Sequence, residues 1–140
     1  MTWYLAAFLS AVFAALTSIL AKIGIKNVDS NLATAIRTTV ILFFTWGIVF
    51  FQGSQNTINQ ISKNSLLFIV LSAIATGLSW LFYFYALKVG SASKVVPIDK
   101  LSLVLTIIMA GLILHEKISI QVILGSLFMT LGAIIIAFAK

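Results

Sequence analysis

Residues 66–87, LLFIVLSAIATGLSWLFYFYAL, form a run of 22 residues without a single charged side chain. At about 1.5 Å per residue, a helix of this length measures roughly 33 Å, enough to cross the ~30 Å hydrocarbon core of a bilayer. A transmembrane β-strand would be about half as long and would alternate apolar with polar residues. The run therefore predicts a membrane-spanning α-helix.

Four further apolar runs surround this one, and they cover residues 3–21, 32–51, 95–114 and 119–138. The whole chain is 61% hydrophobic and 9% charged, with a mean hydropathy of +1.17. A soluble fold of this composition would expose far too much apolar surface. The sequence predicts an all-α membrane protein, a bundle of five transmembrane helices forming one domain over residues 1–140. The longest connection, residues 52–65, is a polar loop too short for a second domain, and five crossings place the two termini on opposite sides.

The lysines between the runs are distributed unequally. Two faces alternate along the chain, and one carries Lys22, Lys26, Lys88, Lys94 and Lys140, whereas the other carries Lys63 and Lys117. By the positive-inside rule, the C-terminus is predicted to be cytoplasmic and the N-terminus outside, in the cell membrane. Because these cations lie beside membrane helices, the net charge of +6 indicates membrane lipid as a partner and not nucleic acid.

Three charged residues lie deeper, at one common level. Arg37 is about five residues into the second run, and Asp99 and Lys100 are about five into the fourth, roughly 7 to 9 Å below the lysine-rich face. Because an unpaired charge in mid-membrane costs about 2.5 to 3.5 kcal/mol on insertion scales, Asp99 is expected to pair with Arg37 or Lys100. Arg37 is preferred, because Asp99 and Lys100 are adjacent and point about 100° apart around the helix. The group is either a structural ion pair or a substrate or proton site in a water-filled cavity.

Pro97 precedes Asp99 by two residues. In the first turn of a helix, proline is simply a favourable starting residue. If the helix begins earlier, proline removes a backbone hydrogen bond and frees a carbonyl for a ligand or water. The first interpretation is preferred from the sequence.

Aromatic residues near the middle of the third run have two interpretations as well. Trp80 and Phe84 share one helix face at a spacing of four residues, and Tyr83 is close to Trp80. Trp80 and Tyr83 carry polar atoms that need partners, so they are candidates for lining a substrate cavity. Packing between helices is the alternative.

Small residues recur at spacings typical of close helix packing. The candidates for helix or dimer contacts are Ser102 and Thr106 in the fourth run, and Gly125 and Gly132 in the fifth. The seven-residue spacing of the two glycines keeps both on one face, which predicts packing either inside the subunit or against a second copy.

Enzyme chemistry has little support. His115 is the only histidine and the chain has no cysteine, so neither a metal site nor a catalytic triad can be assembled from the spacings. The sequence predicts no enzyme, no metal and no cofactor.

The C-terminal half carries a family resemblance. The segment 86–137 has a short turn at 90–93, then PIDKLS at 97–102, HEKIS at 115–119 and the glycine pair Gly125 and Gly132. In this order it resembles an EamA domain of the drug/metabolite transporter superfamily, and Arg37 early in the second run also matches. Coverage is the whole chain at the level of topology, and of motifs mainly after Tyr85.

The resemblance implies one half of a ten-helix drug/metabolite transporter-like fold, and a carrier of small metabolites or drugs. Since one five-helix unit is present, it further implies a homodimer, or a heterodimer with a related five-helix chain, working by alternating access. The substrate or coupling candidates are Arg37, Asp99, Lys100, Trp80, Tyr83 and Pro97. One alternative is proton-coupled efflux of the small multidrug resistance type, whose acidic residue in the first helix is missing here. An alternative of another class is a non-transporting accessory or scaffold subunit.

Overall fold

The computed structural model describes residues 2–139, and every regular element in this range is helical. Six α-helices follow one another along the chain: α1 (Trp3–Gly24), α2 (Ser30–Gln52), α3 (Lys63–Val89), α4 (Ala92–Asp99), α5 (Ser102–Ile113) and α6 (Ile120–Phe138). A 3₁₀ helix, Ser54–Gln60, lies between α2 and α3. Taking α4 and α5 together as Ala92–Ile113, the described chain has five candidate membrane spans. The predicted all-α membrane bundle is confirmed.

The fourth predicted span is present as Ala92–Ile113, with a two-residue turn at Lys100 and Leu101 inside it. An unbroken helix over 95–114 is expected from the apolar run, but the structure begins a helix at Ala92, ends it at Asp99 and begins another at Ser102. Pro97 is therefore the sixth residue of α4 and not part of its first turn. The polar segment 52–65 is also more ordered than a plain loop, because it contains the 3₁₀ helix and the first residues of α3.

The described chain divides into two units, and the first comprises Leu20–Lys88. Its buried apolar residues are Ile25, Phe84 and Leu87. The Lys22 ammonium donates a hydrogen bond to the Leu87 carbonyl near the end of α3, where a cation favourably meets the negative end of the helix dipole. The Asp29 carboxylate accepts hydrogen bonds from the amides of Asn31 (2.9 Å) and Leu32 (3.1 Å), so it caps α2.

The second unit comprises residues 2–19 and 89–139. In it α6 packs against α4 and, more lightly, against α5, with Ser126 and Ala133 buried. The Lys94 ammonium donates to the Ala139 carbonyl beyond the end of α6. His115 has a left-handed backbone (φ 53°) in the turn that ends α5, and the Glu116 amide there donates back to the Ala110 carbonyl.

Most apolar side chains of both units are exposed, among them Phe43 (72%), Phe82 (74%) and Phe128 (74%). In water this would be unfavourable, but lipid tails are as apolar as these side chains and provide no force that would bury them. The few buried positions instead include hydroxyl residues whose side chains donate hydrogen bonds to backbone carbonyls of their own helices. Thr34, for example, is 6% exposed and donates to the Ser30 carbonyl one turn earlier at 2.8 Å.

Candidate functional site

Arg37 lies on α2 and extends over aromatic rings of α3. Its guanidinium carbon is 4.1 Å from the centroid of the Trp80 ring and 5.3 Å from that of Phe84. Seven residues separate Ser30, the first residue of α2, from Arg37, so the charge lies about 10 Å along the helix. The four-residue spacing of Trp80 and Phe84 puts both rings beneath one guanidinium, and the ring faces stabilise its positive charge.

The unit that contains Arg37 offers it no carboxylate at this depth. Neither α2 nor α3 contains Asp or Glu, and Asp29 is the one acidic residue between Leu20 and Lys88. Its carboxylate is held at the start of α2, and the Leu32 amide that donates to it keeps the pKa of Asp29 below its ordinary value. The Asn31 amide and the positive charge of Lys88 act in the same direction. Asp29 is therefore a helix cap, and within this unit the aromatic rings are the partners of Arg37.

A groove between α2 and α3 begins at Trp80. It has a volume of about 410 Å³, within the range of small-molecule sites. Its polar lining is a set of hydroxyl groups from both helices, namely Thr38, Thr45, Ser72 and Thr76. A second hollow of about 390 Å³ shares Thr38, Leu42 and Gly77 with it. The region is thus large enough for a small organic molecule, which could contact the Trp80 ring and the hydroxyl groups of the protein.

The hydroxyl lining was not predicted from the sequence. Three of the threonines satisfy their donors within their own helices: Thr38 donates to Thr34, Thr45 to Ile41 and Thr76 to Ser72, each to the backbone carbonyl at 2.8 to 2.9 Å. The hydroxyl oxygens keep acceptor capacity for a ligand or water. Spacing could have revealed the set, because Thr38 and Thr45 are seven residues apart and Ser72 and Thr76 four, which places each pair on one helix face.

Pro97 lies inside α4, shortly before the interruption of the fourth span. Proline has no amide hydrogen, so the Ser93 carbonyl one turn earlier loses its helical partner. Beyond Asp99 the hydrogen bonds tighten to a three-residue spacing, with Leu101 donating to Ile98 (3.0 Å) and Leu103 to Lys100 (3.0 Å). Of the two interpretations of Pro97, the structure fits a proline within the helix and not one in its first turn.

Asp99 and Lys100 lie at this interruption. The Lys100 ammonium is 3.8 Å from the Asp99 carboxylate, and the two side chains are 55% and 38% exposed, respectively. Although adjacent residues point about 100° apart on a regular helix, the change in helical geometry after Asp99 accompanies their approach. A carboxylate and an ammonium are thus held together where a membrane-spanning helix is discontinuous.

The remaining predicted residues are placed as follows. The predicted Arg37–Asp99 pair joins residues of the two units, and it stays a prediction. Tyr83 is edge-on to Phe84, with ring centroids 6.3 Å apart. Thr106 donates to the Ser102 carbonyl at 2.9 Å. Within the described chain a side chain added at Gly125 or Gly132 would have open space, and the next residues along, Ser126 and Ala133, are the buried ones.

His115 is exposed in the turn before α6. Among residues 2–139 no three His, Asp or Glu side chains come together as a metal-binding group.

The five candidate membrane spans define a multi-pass membrane protein. Residues 1–138 match the EamA-like transporter family, and the chain belongs to that family. It is also 45% identical over 136 residues to an "Uncharacterized transporter in cobO 3'region" of a Sinorhizobium species, an alignment that covers 97% of this chain and 96% of the relative. No solved structure matches. The protein is therefore a membrane transporter by family, which points to transport and away from catalysis.

Proposed function

We propose that the protein carries a small organic molecule across the cell membrane by alternating access, and that it works as a dimer of five-helix units. The observation that supports this most directly is the groove between α2 and α3. The groove has a volume of about 410 Å³ and a mostly apolar lining with four hydroxyl side chains, and the guanidinium of Arg37 lies on Trp80, one of its lining residues. Ionisable residues within membrane spans commonly mark a translocation path.

A dimer follows from the number of helices. Many carriers build one alternating-access path from two related halves with the substrate site at their interface. The Sinorhizobium relative, named a transporter, has nearly the same length as this chain, since the alignment covers almost all of both. In the proposed dimer, pairing of two five-helix units supplies the second half.

Asp99 is the proposed coupling residue. Discontinuous membrane helices often carry the ion or substrate site of a transporter, because their free backbone groups and ends can bind charges. Asp99 is at such a discontinuity, with Lys100 as its neighbour. The small multidrug resistance mechanism is not proposed, because α1 contains no acidic residue.

The test of alternating access uses the absence of native cysteine. Single cysteines are placed at Thr76 in the groove and at Ser54 and Ser91 in the connections, and membrane-impermeant maleimide is applied to right-side-out and inside-out vesicles. Thr76→Cys is expected to react from both sides, since an alternating site opens to each in turn. A lipid-facing control, Phe82→Cys, is expected to react from neither. If Thr76→Cys reacts from no side or from one side only, the proposal is wrong.

The same labelling defines topology. With the C-terminus inside, Ser54→Cys reacts fully from outside and Ser91→Cys does not. In that case the dimer is parallel or pairs with an oppositely inserted related chain. If each position reacts by about half, the chain inserts in both orientations and an antiparallel homodimer follows.

The transported compound is found by its dependence on expression. Small molecules in cells and medium are profiled by mass spectrometry with the protein present, absent, or carrying Asp99→Asn. A compound whose distribution changes only with the active protein is the cargo, and it serves as the substrate in the assays below. If the protein is a scaffold subunit, its expression should change the distribution of no compound.

A further inference from the structure

We propose that the guanidinium of Arg37 is the binding group for an oxyanion, a carboxylate or phosphate carried by the transported molecule. This assignment rests on the proposed transport function and specifies the class of its substrate. Three observations carry it: the charge balance of the Leu20–Lys88 unit, the way the guanidinium is held, and the groove beside it.

Within its own unit, Arg37 has no carboxylate partner. Its unit contains one acidic residue, Asp29, and that carboxylate caps α2 about 10 Å away along the helix. Aromatic faces offset only part of the desolvation of a guanidinium. A bound oxyanion would neutralise the charge and form charge-assisted hydrogen bonds, which are about twice as strong as neutral ones.

The aromatic contact uses the charge of Arg37 and not its hydrogen-bond donors. The guanidinium carbon lies over the Trp80 ring at 4.1 Å from the centroid, and a ring face is not a conventional hydrogen-bond acceptor. A guanidinium has five N–H donors, and two parallel ones match the two oxygens of a carboxylate or phosphate. The Trp80 ring therefore both stabilises the charge and restricts its orientation, which reduces the entropy lost on binding.

The groove provides room for the rest of the molecule. Trp80 lines it at one end, and Thr45 and Thr76 lie further along. A ligand whose oxyanion meets Arg37 can thus extend its body over the Trp80 ring and hydrogen-bond to the hydroxyls. A volume of about 410 Å³ suits one small organic acid or phosphate ester.

The same chemistry could come from a phospholipid headgroup, since arginine side chains near helix ends reach toward lipid phosphates. The experiment has to distinguish this source from a soluble substrate. Arg37 is the only arginine of the chain, so an arginine-specific reagent such as phenylglyoxal reports on this side chain alone once its adduct is located by peptide mass spectrometry.

The rate of phenylglyoxal modification is measured on the purified wild-type protein in maltoside detergent without phospholipid. Sodium benzoate and inorganic phosphate are the oxyanion probes, and benzamide and sodium chloride at equal concentration and ionic strength are the controls. An oxyanion at twice its Kd is expected to slow modification about threefold, because it occupies about two thirds of the sites. If no oxyanion slows the reaction more than the controls do, the proposal is overturned.

The lipid arm repeats the measurement in phosphatidylcholine nanodiscs. Protection by the soluble probes in both detergent and nanodiscs supports a substrate site. If nanodiscs alone protect Arg37 fully and soluble probes add nothing in either setting, the oxyanion is a lipid headgroup and the substrate assignment is wrong. Trp80→Ala should weaken protection by the soluble probes, because the guanidinium then loses its orientation.

Cell profiling separates this inference from the transport function itself. The compounds that depend on expression should carry a carboxylate or phosphate, and they should be lost with Arg37→Lys, which keeps the charge but not the planar pair of donors. Lys63→Gln, at the start of α3 and outside the groove, removes a charge as a matched control and should leave them unchanged. Transport of neutral or cationic compounds would overturn the inference and leave the proposed function intact. The labelling assay needs no transport, so protection without any expression-dependent compound would contradict the function alone.

Discussion

The groove between α2 and α3 and the interrupted span of α4 and α5 hold charge in the membrane by different means. On α2 a single cation lies against aromatic rings of a neighbouring continuous helix, and no acidic residue of its unit is at its level. In the other region an acid and a base are adjacent and 3.8 Å apart, at a point where the helix is discontinuous. The first arrangement leaves a charge available for a ligand, whereas the second offsets its charges locally and puts them where backbone geometry can change. This contrast is the reason for proposing binding in the first region and coupling in the second.

The largest effect is expected from Asp99→Asn, which removes the acid of the interrupted span while keeping its size. If Asp99 carries the coupling proton, transport of the expression-dependent compound should fall by about tenfold or more or lose its pH dependence. The measurement is uptake into proteoliposomes across a range of pH values. Normal transport with unchanged pH dependence would show that Asp99 has no coupling role, and size-exclusion chromatography checks that the variant is folded.

A smaller effect, confined to affinity, is expected from Trp80→Ala in the groove. Removing the ring takes away a cation–π contact worth about 0.5 to 2 kcal/mol, which corresponds to a rise in the apparent KM of roughly two- to thirtyfold. The maximal rate should change little, because coupling is assigned to the other region.

Trp46→Ala is the matched control. Trp46 is a tryptophan of α2. Its ring centroid is 5.6 Å from that of Phe50, and it does not line the groove. Its replacement should leave the concentration dependence unchanged. If Trp80→Ala behaves like Trp46→Ala, Trp80 is a packing residue and the binding role of this region is wrong.

Pro97→Ala addresses the interruption itself. Alanine restores the amide that the Ser93 carbonyl lacks, and it is the better helix former, so the free energy of unfolding should rise by about 1 to 3 kcal/mol. Thermal unfolding in detergent measures this. If the discontinuity has to move during the transport cycle, the transport rate of Pro97→Ala should fall at the same time. The control Ser93→Ala leaves the backbone hydrogen bonds unchanged, so it should change neither the free energy of unfolding nor the transport rate. A stability gain with a full transport rate would remove the interruption from the mechanism.

The sequence was sufficient to predict the membrane class and the number of spans, because runs of about 20 apolar residues have few other structures open to them. It also put Trp80 and Phe84 on one face, since this follows from spacing along one helix. The interruption after Asp99 was not predicted, because the apolar run placed Pro97, the available signal, in the first turn of the helix, where proline breaks no hydrogen bond. The aromatic contacts of Arg37 were not predicted either, because ring faces on a neighbouring helix depend on packing that spacing does not define, whereas the predicted pair with Asp99 stays a prediction.

The smallest effect is expected at the helix end that positions Arg37. The pKa of Asp29 is lowered in the folded protein, chiefly by the Leu32 amide, so the cap contributes stability above the ordinary aspartate pKa and loses it as the pH falls through the lower, folded value. Asp29→Asn keeps the capping oxygen but does not titrate. Thermal unfolding from neutral pH down to pH 3 should therefore show nearly equal stability at neutral pH, and a loss toward acid that is larger in the wild type than in the variant. Parallel curves would mean that the carboxylate is not linked to folding, and that the start of α2 is held without its charge.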